Sequence, residues 1–319
     1  MLFRSGQQHV GVVLPGDNRV ADLTAVDPGL FPNMLALIDA GEPGLDRARE
    51  LAAAPRVVHD LASVSLLAPI PVPRRLRDSL CFEKHFRQSR ANRYLFGFAA
   101  ERQDPAEVQL PSYWFKKPVY YKGNPYSVVG SGAEVHWPKY SRVIDYELEL
   151  GLVTGKKGKD IAPQDADAYI FGYTIFNDFS ARDAQYTEMS VGFGPGKGKD
   201  FDTGNGLGPW IVTADELGDP QTLEMITRVN GEEWSRGNSS EMLHKFRDVI
   251  TYLSEDETLY PGEVIASGTV GGGCGNELGR FLKHGDELEL EVSRIGILRN
   301  RIVAPHVPSP PSFPIQLKF

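Results

Sequence analysis

The chain has 319 residues, with 34 Lys and Arg against 42 Asp and Glu, a formal net charge of −8, and only two Cys. Surplus negative charge without basic runs is unfavourable for binding phosphate backbones or anionic lipid, so we expect no nucleic-acid or membrane partner. Two cysteines cannot form a disulfide framework, no apolar stretch approaches the roughly 18 residues of a membrane span, and the first residues lack a signal-peptide core, which together predict a cytoplasmic protein.

Residues 1–72 are predicted to form a small N-terminal domain of mixed α and β structure. Two strand-like segments, 9–14 and 20–23, flank a Pro-Gly-Asp-Asn turn, which is the pattern of a hairpin. Apolar residues between positions 35 and 54 indicate helix, and the Gly-Glu-Pro-Gly within them predicts two short helices rather than one. The proline-rich stretch 66–73 is typical of an extended connector.

Short strands separated by tight turns are predicted for most of residues 73–303. Helices are fewer, one over 164–168 and one over 239–253, where apolar residues recur at helical spacing. Many strands at short spacing favour a closed or folded-over β architecture over a repeated βαβ unit. The last part of the chain, 304–319, contains five prolines and is predicted to be an extended arm.

The most suggestive strand is Asp-Tyr-Glu-Leu-Glu-Leu at 145–150. Residues two apart on a strand share a face, so Asp145, Glu147 and Glu149 would line up about 7 Å apart. Parallel carboxylates repel unless water or a cation neutralises them. The pattern therefore indicates either a cation site or the polar side of a half-exposed strand.

Three further segments could contribute to a site. Asn-Asp-Phe-Ser-Ala-Arg-Asp at 177–183 directly follows an apolar strand, where it could face a cavity or simply cap a helix. Glycine-rich loops at 194–204 and 268–275 could bring backbone N–H groups to an anion, or be ordinary turns. The first of them has neither the spacing of a Walker A loop nor that of a dinucleotide fingerprint.

The remaining reactive residue types are scattered. The seven histidines, His85 among them, show no spacing typical of zinc or haem ligation, and no nucleophile elbow of a serine hydrolase occurs. Cys81 and Cys274 are interpreted as ordinary small hydrophobic residues.

The order of these segments is more specific than any one of them. His85, Tyr-Lys-Gly-Asn at 121–124, DYELEL, FGYTIFNDFSARDAQ at 171–185, GKGKDFDTGNGLGPW at 196–210 and ASGT at 266–269 resemble the fumarylacetoacetate hydrolase family over residues 77–303. The resemblance implies a mostly β (α+β) fold with a rolled mixed β-sheet catalytic domain. With the small N-terminal domain of the family's larger members, the predicted division is 1–72, 73–303 and 304–319.

The resemblance also implies a metal site. Glu147, Glu149 and Asp178 match the family's ligands, and Asp78, seven residues before His85, matches a fourth ligand found in some larger members. An oxygen-only set suits a hard cation, Mg²⁺ first and Mn²⁺ or Ca²⁺ otherwise.

The resemblance implies catalytic residues as well. His85 would act as general base on a water, and Lys199 would stabilise the developing oxyanion or protonate the departing carbanion. Gln88 stands where one branch of the family has a glutamate partner for this histidine, so Glu277 is the nearest candidate partner. Four more residues match positions that contact substrate oxygens in the family: Tyr121, Arg182, Gln185 and Thr269.

The predicted function is metal-dependent hydrolysis of a C–C bond in an acylpyruvate-like or β-diketone acid, held on the metal as its enolate. The same scaffold also supports 2-oxo-acid decarboxylation, keto–enol isomerisation and sugar-acid dehydration. A non-catalytic, metal-dependent ligand-binding relative is a further alternative. The expected partners are a small 2-oxo or β-diketo acid and, from the family, a second copy of the chain in a homodimer.

Overall fold

The computed structural model describes residues 1–16, 18–304 and 311–315. Its strands are β1 (Leu2–Ser5), β2 (Gln7–Val13), β3 (Arg19–Asp22), β4 (Val58–Asp60), β5 (Ser65–Leu66), β6 (Leu76–Ser79), β7 (Tyr120–Lys122), β8 (Val128–Val129), β9 (Glu134–His136), β10 (Ile144–Asp145), β11 (Leu148–Thr154), β12 (Ile170–Asp178), β13 (Ser180–Ala181), β14 (Asn205–Thr213), β15 (Glu224–Val229), β16 (Glu232–Asn238), β17 (Val264–Ala266), β18 (Glu287–Val292) and β19 (Gly296–Val303). Its α-helices are α1 (Leu23–Val26), α2 (Met34–Ala53), α3 (Glu83–Ala91), α4 (Arg182–Met189), α5 (Ala214–Leu217), α6 (Phe246–Ser254) and α7 (Gly275–Leu278). Short 3₁₀ turns occupy Leu61–Ser63, Asn92–Phe96, Ala166–Tyr169, Gly196–Gly198, Pro220–Thr222 and Ser239–Glu241.

The first five strands form a sheet of their own, in the order β4-β3-β2-β1-β5. The predicted hairpin is confirmed, because β2 and β3 pair antiparallel with Gly11 opposite Asp22. Helix α2 is broken at Gly41, whose φ of 59° is outside the helical range, so two helical segments meet there as the Gly-Glu-Pro-Gly pattern predicts. Within the part of the chain that the structure describes, no helix has the length and apolar character to cross a bilayer.

A mixed seven-stranded sheet, in the order β7-β6-β17-β11-β12-β14-β8, forms the centre of the molecule. Its central pairs are antiparallel, whereas β6 runs parallel to β17 and β8 parallel to β14. A five-stranded sheet, β16-β15-β18-β19-β9, lies against it. The rolled mixed sheet predicted from the resemblance is confirmed.

The main hydrophobic core lies between these two sheets and α6. It combines Leu148 and Leu150 of β11, Leu290 of β18 and Val249 of α6 in one cluster of buried side chains. A second cluster of buried apolar side chains joins the N-terminal residues to the other face of the seven-stranded sheet. It includes Ile38 of α2 and Phe176 of β12. All seven residues of β11 are buried, because apolar groups cover both faces of this strand.

Some predicted elements differ from the structure. The helix predicted over 239–253 begins only at Phe246, because Ser239 bonds the neighbouring Leu223 and Met242 pairs with Phe82 in a β-bridge. The helix predicted over 164–168 is a 3₁₀ turn, Ala166–Tyr169. Much of the predicted C-terminal arm, 305–310 and 316–319, lies outside the described residues, and the division of the chain into three parts stays a prediction.

Candidate metal centre and active site

Four carboxylates converge at one end of the seven-stranded sheet. Asp78 is in β6, Glu149 in β11 and Asp178 at the end of β12, while Glu147 directly precedes β11. Each of the four residues offers one carboxylate oxygen, and these four oxygens all lie within 4.8 Å of one another. All four residues are buried, with at most 6% of their surface exposed. The predicted ligand set, including the fourth aspartate, is thus brought together.

Asp145 does not join this cluster, although strict alternation along the predicted strand would place it there. The strand is interrupted between Asp145 and Leu148, where the Glu147 N–H donates to the side-chain oxygen of Asn177 in β12 rather than to a backbone carbonyl. Asp145 instead accepts hydrogen bonds from the backbone N–H groups of Gly275 and Asn276, at 2.7 and 2.9 Å. Its second partner is the Arg182 guanidinium, at 2.7 Å. Asp145 therefore lies outside the carboxylate cluster, although it shares the Arg182 guanidinium with Glu147.

The cluster is rich in negative charge that the protein itself neutralises only in part. Burial, followed by the charge of neighbouring Asp178, raises the pKa of Asp78 well above its ordinary value. Burial and then Asp78 do the same to the pKa of Glu149. One oxygen each of Asp78 and Asp178 is buried without a hydrogen-bond partner. Buried oxygens without a donor, in a set of four carboxylates, fit a hard divalent cation.

Lys199 supplies positive charge at one side of the cluster. Its ammonium group donates to Glu147 at 2.6 Å, Asp178 at 2.5 Å and Ser180 at 2.6 Å. Burial alone would lower the pKa of Lys199, but the charges of Asp178 and Glu147 outweigh it and raise the pKa. The pKa of Glu147 falls despite burial, because Arg182 and Lys199 both favour its ionised form. This lysine is therefore held as a cation.

The second glycine-rich loop holds Glu149 in place. Gly268 N–H donates to one carboxylate oxygen of Glu149 at 2.9 Å, and the Thr269 hydroxyl lies 3.2 Å from the other. Gly268 has φ +79°, and a Cβ at this position would lie 2.4 Å from the Ser79 carbonyl oxygen. Only glycine lets the loop approach β6 this closely while aiming its N–H at the glutamate.

His85 meets Glu277 as the sequence predicts for its partner. The His85 Nδ1 atom lies 3.3 Å from a Glu277 carboxylate oxygen. Glu277 is itself fixed by the N–H groups of Gly272 and Cys274, at 3.1 and 3.2 Å. Cys274 is buried as expected, and its thiol also meets polar side chains, at 3.4 Å from Glu277 and 4.0 Å from His85.

One cavity of about 530 Å³ gives access to these groups. The four carboxylate residues, His85 and Lys199 line it, and Glu277 lies behind His85. All the residues predicted to contact substrate also line the cavity: Tyr121, Arg182, Gln185 and Thr269. Three of the four, Tyr121, Arg182 and Thr269, contact a carboxylate of the cluster directly, and Gln185 contacts Arg182. Tyr121 donates to Asp178 at 2.7 Å, and Arg182 contacts Glu147 at 2.8 Å and the side-chain oxygen of Gln185 at 2.9 Å.

A second wall of the cavity was missed by the sequence analysis. Helix α3 contributes Phe86 and Arg90, the turn after it contributes Arg93, and Tyr186 faces them from α4. Arg90 stacks over the Phe86 ring at 5.3 Å. Phe86, Arg90 and Arg93 follow one another at spacings of four and three residues, which is the pattern of one shared helix face.

Comparison with known proteins matches most of the chain to one family. The family model described as fumarylacetoacetate (FAA) hydrolase C-terminal matches residues 76–303. The chain is 35% identical over 300 residues to the human mitochondrial oxaloacetate tautomerase FAHD2A, covering 92% of this chain and 87% of that protein. It is 32% identical over 322 residues to the oxaloacetate tautomerase YisK of Bacillus subtilis strain 168, covering 95% of this chain and all of that protein.

A solved structure resembles the chain over nearly its whole length. The maleylpyruvate hydrolase of Sphingobium sp. SYK-6, in complex with manganese(II) and pyruvate, superposes with a TM-score of 0.72 at 26% sequence identity. The match covers 96% of this chain and all of that one.

Proposed function

We propose that this chain, which belongs to the fumarylacetoacetate hydrolase family, is a divalent-metal-dependent enzyme that catalyses keto–enol tautomerisation of a 2-oxo acid. One observation carries the proposal: a single cavity is lined by four clustered carboxylates, a lysine and a histidine backed by a glutamate. Tautomerisation needs a proton moved between carbon and oxygen, and that residue set provides for it. The oxaloacetate tautomerases among the relatives support this choice over the other reactions of the fold.

Asp78, Glu147, Glu149 and Asp178 would hold the cation. The all-oxygen set suits Mg²⁺ or Mn²⁺, and the manganese in the maleylpyruvate hydrolase structure supports the second. When bound, a divalent cation supplies a Lewis acid that polarises a carbonyl oxygen and stabilises negative charge developing on it.

His85 is the residue placed to move the proton. Its Nδ1 is engaged by Glu277, so the other ring nitrogen is the one left to exchange a proton with a ligand in the cavity. Glu277 holds the ring orientation and stabilises the imidazolium that forms when His85 accepts a proton from the substrate carbon. The same histidine then returns a proton to the substrate oxygen, and the overall reaction is balanced without water.

Lys199 and Arg182 place fixed positive charge near the enolate oxygens. Both are almost fully buried, with 3% of their surface exposed, so their field is weakly screened by solvent. Charge that develops only during the reaction is stabilised most by groups already oriented toward it.

Hydrolysis of a C–C bond in an acylpyruvate, the reaction predicted from the sequence, is the second candidate. The likeness to maleylpyruvate hydrolase favours it, and the same His85–Glu277 pair could deprotonate a water. The two reactions differ in whether water is consumed and two acids are released.

The test measures both reactions on the metal-loaded protein. Enol oxaloacetate is followed through the loss of its ultraviolet absorbance, and an acylpyruvate through chromatographic release of pyruvate, each with Mg²⁺ or Mn²⁺. His85→Asn should lower the tautomerisation rate by at least about a hundredfold. The matched control is His136→Asn, at an exposed position outside the cavity, which should keep the wild-type rate.

Fast tautomerisation without pyruvate release supports the first candidate, and release of pyruvate as the only fast reaction replaces it with the second. Metal-loaded protein that turns over neither substrate, or a His85→Asn variant with the full rate, contradicts the proposal.

A further inference from the structure

The cluster behind His85 has the composition of a second metal site. His85 Nδ1, Cys274 Sγ and a Glu277 carboxylate oxygen all lie within 4.8 Å of one another, and all three residues are buried. It shares no residue with the carboxylate cluster. The ligand types differ as well, being nitrogen, sulfur and oxygen instead of oxygen alone.

The spacing of the three donor atoms fits one kind of cation. A tetrahedral Zn²⁺ ion, with bonds of about 2.0–2.3 Å, separates its nitrogen and oxygen donors by about 3.4 Å and its sulfur from either by about 3.6 Å. The observed separations are 3.3 Å for His85 to Glu277, 3.4 Å for Cys274 to Glu277 and 4.0 Å for Cys274 to His85. Each is within about half an ångström of the tetrahedral value.

The three side chains are also held in place before any ion arrives. Cys274 and Glu277 belong to the first turn of α7, in which the Cys274 N–H donates back to the Glu277 carboxylate. The backbone of Cys274 is further fixed by a β-bridge to Glu147. His85 projects from α3 and lines the cavity, so the cluster adjoins a solvent-connected space.

We propose that His85, Cys274 and Glu277 form an inhibitory site for a borderline or soft divalent cation of the Zn²⁺ class. Thiolate and imidazole ligands favour Zn²⁺ over Mg²⁺, whereas the all-carboxylate cluster favours the hard cations. Binding displaces the thiol proton and occupies His85 Nδ1 together with the Glu277 oxygen that faces it. Because it uses the pair assigned to proton transfer, the inhibitory part rests on the proposed function, while the binding part does not.

The binding part is tested with Co²⁺, a spectroscopic substitute for Zn²⁺, on full-length protein in excess Mg²⁺. A cysteine ligand gives a thiolate-to-cobalt charge-transfer band in the near ultraviolet, and carboxylates do not. The band should appear in wild type and disappear in Cys274→Ala. Cys81→Ala is the matched control, because the other buried cysteine lies outside the cluster and its removal should leave the band unchanged.

Two further variants keep the test decisive if Cys274→Ala does not fold. His85→Asn should weaken Co²⁺ binding at this band by at least about tenfold, and Glu149→Gln, at the carboxylate cluster, should not. Absence of the band in wild type, or its persistence in Cys274→Ala, overturns the site.

The inhibitory part is tested by adding Zn²⁺ to Mg²⁺-loaded enzyme. Inhibition should be at least about tenfold stronger in wild type and Cys81→Ala than in Cys274→Ala, each compared with its own uninhibited rate. If the Co²⁺ band appears but Zn²⁺ does not inhibit, the inhibitory part of the proposal is wrong and the metal site stands. A band in a protein that shows no turnover at all contradicts the proposed function and leaves the metal site standing.

Discussion

Two clusters of charged side chains lie on opposite faces of the same strand, β6, and they differ in charge balance. Arg77 pairs with Glu263 and Glu257, and Arg75 adds a contact to Glu257 at 2.7 Å, so two cations face two anions. The adjacent residue, Asp78, turns to the other face and joins the carboxylate cluster. There, among the described residues, the cluster of four carboxylates forms ion pairs with two side-chain cations, Lys199 and Arg182, and Arg182 is shared with Asp145.

The difference distinguishes a structural network from a binding site. Charges that are buried and paired need nothing further, and their removal disturbs the fold. A buried cluster with four negative and two positive groups is unfavourable unless protons or a cation join it. The Arg77 network thus anchors β6 through its parallel pairing with β17, while the other face of the same strand offers Asp78 to a ligand.

The largest effect is expected from Glu149→Gln, which removes one negative charge from the carboxylate cluster at nearly constant side-chain volume. We expect metal affinity to fall by at least about a hundredfold and turnover to be lost, because a central oxygen ligand becomes a neutral amide. Elemental analysis and isothermal titration with Mn²⁺ measure the binding, and circular dichroism checks the fold. Equal bound metal in variant and wild type would remove Glu149 from the site.

The next effect tests the balanced cluster, which consists of Arg75, Arg77, Glu257 and Glu263. Arg77→Met leaves Glu263 buried without its main cation. The free energy of unfolding, measured by urea denaturation, should therefore fall by about 3–5 kcal/mol. Under conditions in which the Arg77→Met variant is folded, it should bind metal as the wild type does. A loss below about 1 kcal/mol would show that this network is not what anchors β6.

Sequence patterns predict only part of the candidate site. The acidic ligands of the strand at 145–150 and of the segment after β12 are visible as motifs, and the resemblance adds Asp78 and Glu277. Alternation alone does not separate Asp145 from the ligands, because the bonds from Gly275 and Asn276 that hold it outside the cluster come from residues 130 and 131 positions later. Cys274 is taken for a hydrophobic residue because His85, 189 positions earlier, meets it only in the fold.

The next prediction concerns pH. Burial, and then neighbouring carboxylates, raise the pKa values of Asp78 and Glu149. The folded metal-free protein therefore keeps protons that the unfolded chain releases once the pH exceeds about 4–5, so this contribution destabilises the fold as pH rises toward the raised pKa values. A cation displaces those protons, so metal affinity should rise with pH, by up to about tenfold per pH unit for each proton released.

Thermal unfolding with and without Mg²⁺, from pH 5 to 8, measures this linkage. The increase in Tm on adding metal should grow with pH in wild type and be much reduced in Glu149→Gln. A metal-induced shift that is equal at every pH would contradict a cluster that carries exchangeable protons.

The smallest effect is expected from Glu257→Gln, at the outer edge of the balanced cluster. Its side chain is 35% exposed and contacts both Arg75 and Arg77, so we expect a loss of only about 0.5–1.5 kcal/mol in the free energy of unfolding. Metal affinity should not change, because Arg77 keeps Glu263 and Asp78 stays on the opposite face of β6. If Mn²⁺ titration instead shows weaker binding in this variant, the two clusters are coupled through the strand, and the balanced network helps to position the metal ligands as well as the fold.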